Sequence, residues 1–210
     1  MFTLSRKNIL GSLTVLFGGT GVFASISLLL SKIEKLENPD FVPPCSINVW
    51  YDCSQVMESQ WSALTGYPNY INGIVLYSLA IMTGLFVLAN KTNDKRVIWF
   101  AVGLSGLGLF VNINLLYVSA FLIHAICLWC VLSIVSTAGV FFALLEYAVR
   151  EGMLGEGERV REYIKWVHVP LLLTLYLFVF LMVFGVRQMG DWWPEFFAIN
   201  WPNPFFWIES

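Results

Sequence analysis

The fold is decided by residues 124–146, which read HAICLWCVLSIVSTAGVFFALLE. No charged residue interrupts this run before its last position, and about 20 helical residues are enough to cross a hydrocarbon core about 30 Å thick. The run also contains Cys127 and Cys130. Residues at i and i+3 share one face of a helix, so the two thiols are close enough to form a disulfide or to bind a metal. The stretch therefore predicts a membrane-spanning helix that carries a pair of thiols.

The composition of the whole chain agrees with a membrane location. Of its 210 residues, 58% are hydrophobic and 12% are charged, which is typical of a polytopic membrane protein. The net charge of -2 is uninformative, and no basic cluster suggests a nucleic-acid partner. The first apolar segment is too long for the core of a signal peptide and lacks a clear cleavage site, so we expect it to remain as a span.

Further apolar runs are long enough to cross a bilayer at residues 9–30, 70–89, 97–118 and 167–186. One unbroken helix from residue 97 to residue 146 would be about 75 Å long, so we expect a turn between Tyr117 and His124. These patterns predict an all-α integral membrane protein, which consists of a four-helix transmembrane bundle and a fifth transmembrane helix.

The predicted bundle divides the chain into two parts. Residues 1–146 form the bundle and include an external loop at residues 31–69. Residues 147–210 hold a charged loop, the fifth helix and a tail rich in Trp, Phe and Pro that we expect to rest at the headgroups. Small residues in the first span predict close approach of another helix, namely Gly11, Gly18 and Ser25.

The external loop contains the other two cysteines, Cys45 and Cys53. Prolines in the loop break any helix that leaves the membrane and stiffen the approach to Cys45. Residues 54–64 predict a short helix that lies on the membrane, with Ser54 as its N-cap. Residues 66–69, Gly-Tyr-Pro-Asn, then predict a turn before the second span.

Positive charge predicts the orientation of the spans. Nine Lys and Arg residues fall on one side of the predicted membrane and three on the other. The positive-inside rule then places the N-terminus inside, the C-terminus outside and all four cysteines near the outer surface. We therefore expect a multi-pass protein of the cell inner (plasma) membrane whose thiols face the periplasm or the cell exterior, where disulfides form. The nine are Arg6, Lys7, Lys91, Lys95, Arg96, Arg150, Arg159, Arg161 and Lys165, and the three are Lys32, Lys35 and Arg187.

The position of the thiol pair within its helix suggests separate roles for the two cysteines. If the helix begins near His124, Cys127 lies in its first turn and Cys130 in its second, where the helix dipole stabilises a thiolate. Cys130 then lies about 4.5 Å deeper in the membrane. Cys127 is better placed to meet a loop thiol, and Cys130 to meet a lipid-soluble acceptor. A quinone fits, because it accepts the two electrons that are released when a disulfide forms.

Three segments together resemble the bacterial, disulfide-forming branch of the vitamin K epoxide reductase family. They are CSINVWYDCS at residues 45–54, GYPNYING at 66–73 and CLWC at 127–130. The resemblance covers residues 10–146 and implies a four-helix catalytic core that surrounds a quinone, either ubiquinone or menaquinone.

The resemblance also implies roles for individual residues. It makes Cys130 the residue that reacts with quinone and Cys127 the residue that exchanges with the loop. Cys53 shuttles to Cys127, Cys45 completes the loop disulfide, and the loop cysteine that the partner attacks stays open. Asn69 corresponds to the asparagine that hydrogen-bonds a quinone carbonyl.

Two departures from the family pattern refine the expectation. Ile134 stands where the animal enzymes have a tyrosine, which weakens any assignment of epoxide reduction. Many bacterial relatives carry a fused thioredoxin-like domain after the fifth span, but this sequence ends at Ser210 after a short tail. We therefore expect a separate periplasmic, DsbA-like partner with a thioredoxin fold. The quinone oxidase DsbB has its cysteine pairs in the opposite order, so DsbB itself is disfavoured.

Other interpretations of the same residues stay open. The cysteines could form static disulfides or pack as small apolar residues, in a non-catalytic membrane assembly or structural protein. Four thiolates could bind zinc or an iron–sulfur cluster, but only one pair has close ligand spacing and no metal site is expected. A transporter is disfavoured because the spans hold almost no ionisable residues. Asn69 could simply cap a helix, and Asn112 and Asn114 could form hydrogen bonds between helices.

Overall fold

The computed structural model describes residues 6–89 and 95–151, together with six residues between 173 and 180. Within those residues four long helices run antiparallel to their neighbours in the chain, and a short helix interrupts the loop between the first two. The helices are α1 (Arg6–Glu37), α2 (Cys53–Glu58), α3 (Asn69–Leu88), α4 (Lys95–Val118) and α5 (Leu128–Arg150). A 3₁₀ turn, Gln60–Ala63, follows α2, and a π-helical turn, Ser119–Ile123, extends α4.

The four long helices confirm the helical membrane fold that the sequence predicts. Each is long and apolar enough to cross a bilayer. Helix α1 continues past its predicted end to Glu37, because the first helix breaker is the Asn38-Pro39 pair. Helix α5 likewise continues past Glu146 to Arg150.

The predicted fifth span, residues 167–186, lies largely outside the described residues, as do the charged loop beyond residue 151 and the aromatic tail. Six residues of that span are described and have helical backbone: Leu173, Leu175, Tyr176, Leu177, Val179 and Phe180. Leu175 and Tyr176 pack beside Leu109 and Phe142, so this segment contacts α4 and α5.

Close helix packing depends on small residues, as predicted. Helix α1 packs along both α3 and α5, and α5 also packs on α4, whereas α3 and α4 contact each other little. A Cβ atom added at Gly73 of α3 would lie 2.5 Å from Ser25 Oγ of α1, and one at Gly84 would lie 3.1 Å from the Gly11 carbonyl oxygen. Neither position has room for a side chain, so the glycines set the distance between the two helices.

The structure corrects the predicted start of the helix that carries the thiol pair. Helix α5 begins at Leu128, and Cys127 is its N-cap with extended backbone, φ −89° and ψ 120°. Cys127 is therefore not in the first turn, and Cys130 lies in the first turn rather than the second. The helix starts late because His124 takes a left-handed conformation, φ 60°, which ends the preceding π-helical turn.

The apolar core and the cysteines occupy opposite ends of the bundle. At the end formed by the C-termini of α3 and α5 and the N-terminus of α4, buried side chains such as Val87, Ile98 and Leu144 close the bundle. At the other end, Cys45, Cys53 and Cys127 are buried together. The external loop therefore covers this end of the bundle instead of extending into solvent.

Candidate functional site

Four cysteines from distant parts of the chain meet at one end of the bundle. Cys45 and Cys53 form a disulfide, and Cys127 and Cys130 are free thiols. Cys127 Sγ lies 3.3 Å from Cys53 Sγ. Cys53 and Cys127 are 0% and 1% exposed, so water has no direct access to this contact. The arrangement brings one member of each pair within reach of thiol–disulfide exchange.

Asp52 organises the loop beside the disulfide. It is the N-cap of α2, and its Oδ1 accepts hydrogen bonds from the Ser54 backbone N–H at 2.8 Å and from Ser46 Oγ at 2.6 Å. These bonds connect the residue after Cys45 with the residue before Cys53. The predicted cap, Ser54, is wrong by two positions, because the helix begins at Cys53. Aspartate is a preferred N-cap residue, and this signal could have identified Asp52 from the sequence.

A backbone hydrogen bond fastens the loop to the segment that precedes the thiol pair. The Ile126 N–H donates to the Trp50 carbonyl oxygen at 2.8 Å. Asn48 Oδ1 accepts from the Trp50 and Tyr51 N–H groups, both at 3.0 Å, and so shapes the turn that presents Trp50. The loop and the start of α5 are therefore held in one register, which keeps Cys53 beside Cys127.

The N-cap position changes the chemistry of Cys127. A hydrogen bond from the Cys130 thiol, together with the backbone N–H groups of Trp129 and Cys130, lowers the pKa of the Cys127 thiol, although burial acts in the opposite direction. The sequence predicted stabilisation of a thiolate by this helix end. The thiolate form of Cys127 is therefore stabilised, and its sulfur contacts the loop disulfide directly. Cys130 lies three residues further into the helix.

Asn69 is the first residue of α3 and Pro68 is the N-cap, so the alternative in which Asn69 caps this helix is wrong. Its Nδ2 donates to the Trp61 carbonyl oxygen at 2.7 Å, and its Oδ1 accepts from the Leu64 N–H at 3.2 Å. These bonds hold the 3₁₀ turn against α3, so Asn69 has a structural role in the loop. One of its two amide hydrogens is not used by these bonds.

Two cavities lie between the cysteines and the membrane-facing surface. The larger has a volume of about 480 Å³ and lies between α3 and α4, with α5 behind it. Met82, Phe100 and Leu107 line it and are more than half exposed, so it opens on the apolar outer face of the bundle. The smaller, about 100 Å³, is lined by Cys127 and Cys130. Asn69, Asn112, Leu115 and Ser133 line both cavities.

A buried hydroxyl cluster lies where the two cavities meet, and sequence reasoning missed it. The Tyr77 hydroxyl is 2.6 Å from Ser133 Oγ and 2.7 Å from Thr137 Oγ1, and Asn112 Nδ2 donates to Thr137 Oγ1 at 2.8 Å. The hydrogen bond from Asn112 joins α4 to α5, as predicted. Asn114 instead donates to the Phe110 carbonyl oxygen of its own helix, so the same prediction is wrong for Asn114.

These features define a class of protein: a multi-pass membrane protein that performs thiol–disulfide chemistry in a helical bundle. Residues 12–145 match the model of the vitamin K epoxide reductase family. The match spans more than half of the chain, so the chain belongs to this family, and the family resemblance drawn from its three segments is confirmed. The assignment to the bacterial, disulfide-forming branch stays a prediction. No curated protein sequence matches the chain. Members of this family are membrane thiol oxidoreductases, and the protein is accordingly a redox enzyme.

Proposed function

We propose that the protein is a quinone-dependent thiol oxidase, which takes electrons from a DsbA-like dithiol protein outside the membrane and passes them to quinone. The observation that carries the proposal is the 3.3 Å contact between Cys53 Sγ and Cys127 Sγ, which connects the loop pair to the helix pair. A purely structural disulfide has no need of a free thiol held against one of its sulfurs. The contact therefore favours turnover over a static brace.

The first step reduces the loop disulfide. A thiolate of the partner attacks one sulfur of the Cys45–Cys53 bond, and the second thiol of the partner then releases the partner as a disulfide. The partner loses two electrons and two protons, and Cys45 and Cys53 become thiols. Either loop cysteine can be the one that is attacked.

The second step transfers the disulfide within the protein. The Cys53 thiolate attacks Cys127 of a Cys127–Cys130 disulfide, which forms a Cys53–Cys127 bond and releases Cys130 as a thiolate. Cys45 then attacks Cys53, which restores the loop disulfide and releases Cys127. A thiol with a low pKa leaves faster, so the lowered pKa of Cys127 favours this release. The structure has the oxidised loop and reduced helix pair that this step produces.

The third step returns Cys127 and Cys130 to a disulfide, and the two electrons and two protons go to the acceptor. A bound quinone would supply this two-electron acceptor. The cavities fit such a group, because their walls are mainly apolar and carry a few amides and hydroxyls beside Cys130. The unused amide hydrogen of Asn69 is available to a carbonyl oxygen of the ring, in agreement with the role that the family resemblance implies.

The proposed orientation puts the cysteine end of the bundle outside the cell membrane. The opposite end carries five of the seven Lys and Arg residues of the described chain, including Lys7 of α1 and Lys95 of α4. Lys7 Nζ lies 3.0 Å from Glu151 Oε2, so the start of α1 and the end of α5 are adjacent there. The positive-inside rule favours the cytoplasm for this end and the cell exterior for the thiols.

The test is electron transfer by the purified protein in nanodiscs. We expect it to oxidise a reduced DsbA-like protein when ubiquinone or menaquinone is added, and to lose this activity in the Cys130→Ser variant. In that variant the exchange should stop midway, so a Cys53–Cys127 mixed disulfide should accumulate and be found by mass spectrometry after digestion.

Two results would contradict the proposal. Quinone reduction by Cys130→Ser at the wild-type rate would remove Cys130 from the route. A mixed disulfide between Cys45 and Cys127, in place of the one with Cys53, would reassign the shuttle. A Cys45→Ser, Cys130→Ser double variant is the matched control, because it should still trap Cys53 with Cys127 after reduction and reoxidation.

A further inference from the structure

The amide of Asn112 lies at the junction of the two cavities, and its carbonyl oxygen has no hydrogen bond within the described residues. Asn112 Nδ2 donates one hydrogen to Thr137 Oγ1 at 2.8 Å. The amide also interacts with the Tyr77 hydroxyl, whereas its carbonyl oxygen has no hydrogen bond to residues 6–89, 95–151 or the described part of 173–180. Burying a polar group in an apolar bundle without a hydrogen-bond partner costs free energy. A polar group that faces a cavity without such a partner therefore indicates that a ligand binds there.

The two cavities together have the form that a quinone with a lipid tail requires. The small cavity contacts Cys130, and the large one opens between α3 and α4 onto the outer face of the bundle. The weak contact between α3 and α4 leaves that opening free. A ring in the small cavity would therefore have its tail in the large one. Asn112, from α4, and Asn69, from α3, both line the junction through which ring and tail connect.

We propose that Asn112 binds the acceptor ring through its amide, on the α4 side, while Asn69 binds from the α3 side. This inference rests on the proposed use of quinone. The carbonyl oxygen of Asn112 can accept from the hydroxyl of the reduced ring, and the N–H that contacts the Tyr77 hydroxyl can donate to a quinone carbonyl when the ring takes the place of that hydroxyl. Position 134 offers no such donor, since Ile134 is 2% exposed and packs against Leu116 and Val179.

Asn114 provides a matched control for Asn112. It lies two residues away on the same helix, is exposed, and donates to the Phe110 carbonyl oxygen. It lines neither cavity. The two asparagines thus share the residue type, the helix and the membrane depth to within one turn, but of the two only Asn112 lines the cavities.

The experiment measures quinone binding directly and separately from turnover. Wild-type protein and the Asn112→Leu, Asn112→Ala and Asn114→Leu variants are titrated in nanodiscs with short-tail ubiquinone and with menadione, and tryptophan fluorescence quenching gives the dissociation constants. We expect both Asn112 variants to bind about tenfold more weakly, the effect of one lost hydrogen bond, and Asn114→Leu to bind like wild type. Turnover should show a raised KM for quinone.

A second measurement tests whether the effect is merely structural. Exchange between the loop pair and the Cys127–Cys130 pair, followed in a single turnover without quinone, should be unchanged in the Asn112 variants. Thr137→Val removes the same interhelical hydrogen bond but leaves the amide in place, and should keep its affinity within about threefold.

Three outcomes would overturn the inference. They are unchanged affinity in both Asn112 variants, an equal loss in Thr137→Val, or an equal loss in Asn114→Leu. If the wild-type protein itself neither binds nor reduces quinone, the proposed function fails, and that result is distinct from a failure of Asn112 alone.

Discussion

At the scale of single residues, the site depends on Asp52, which joins the two arms of the disulfide loop. We expect Asp52→Ala to remove an N-cap and the bond from Ser46, at a cost of about 1 kcal/mol in stability. Because the loop then holds Cys53 less firmly, formation of the Cys53–Cys127 bond should slow several-fold. Thermal unfolding and the rate of trapping in the Cys130→Ser background would measure the two effects.

The control for this prediction is Asp40→Ala in the same loop. Asp40 is exposed, and neither of the hydrogen bonds that shape the disulfide arms involves it. Equal effects of the two substitutions would contradict a specific role for Asp52.

The role of Asp52 as an N-cap could be predicted only in part from the sequence. The sequence has an aspartate before Cys53, but Ser54 is an equally good cap by residue type. Only the position of the first helical residue decides between them.

At the scale of the helices, the decisive feature is the glycine-lined contact of α1 with α3. A Cβ at Gly21 would lie 2.5 Å from the Tyr77 ring, whereas one at Gly19 would have no atom within 4 Å. We expect Gly21→Ala to destabilise the protein by about 1–3 kcal/mol through overpacking. Gly19→Ala should be neutral or stabilising, by up to about 1 kcal/mol, because alanine favours helix.

Thermal unfolding of the two variants in the same detergent measures this difference. A Gly21→Ala protein as stable as Gly19→Ala would show that α1 moves away at little cost. The sequence predicted a close approach at Gly11, Gly18 and Ser25, and these residues do face α3, but it did not single out Gly21.

At the scale of the whole molecule, the end that carries the thiols is opposite the end that carries most of the positive charge. We expect Val49→Cys, in a background without the native cysteines, to react with a membrane-impermeant maleimide added to intact cells. Val49 is 74% exposed in the external loop. Lys95→Cys, at the start of α4, should react only after the membrane is opened. The reverse pattern of labelling would invert the proposed orientation.

Local sequence properties were sufficient to predict the number and approximate positions of the four described spans, the family and the four cysteines of the site. These features depend on local properties, since a run of apolar residues fixes a membrane helix and the spacing of a motif can be counted along the chain. The same local reasoning failed at the start of α5. There the backbone of His124 and the bond from Ile126 to Trp50, a residue of the distant loop, delay the helix to Leu128.

The contact between sulfurs and the set of polar side chains that line the cavities depend on how the helices and the loop pack together. Cys53 and Cys127 are 74 residues apart in the chain, and their 3.3 Å contact results from helix packing and the loop hydrogen bonds together. Asn112 and Asn114 are the same residue type in the same apolar run, so the sequence alone does not distinguish their roles. A helix turns by about 100° per residue, so two positions along α4 separate a side chain that lines the cavities from one that faces outward.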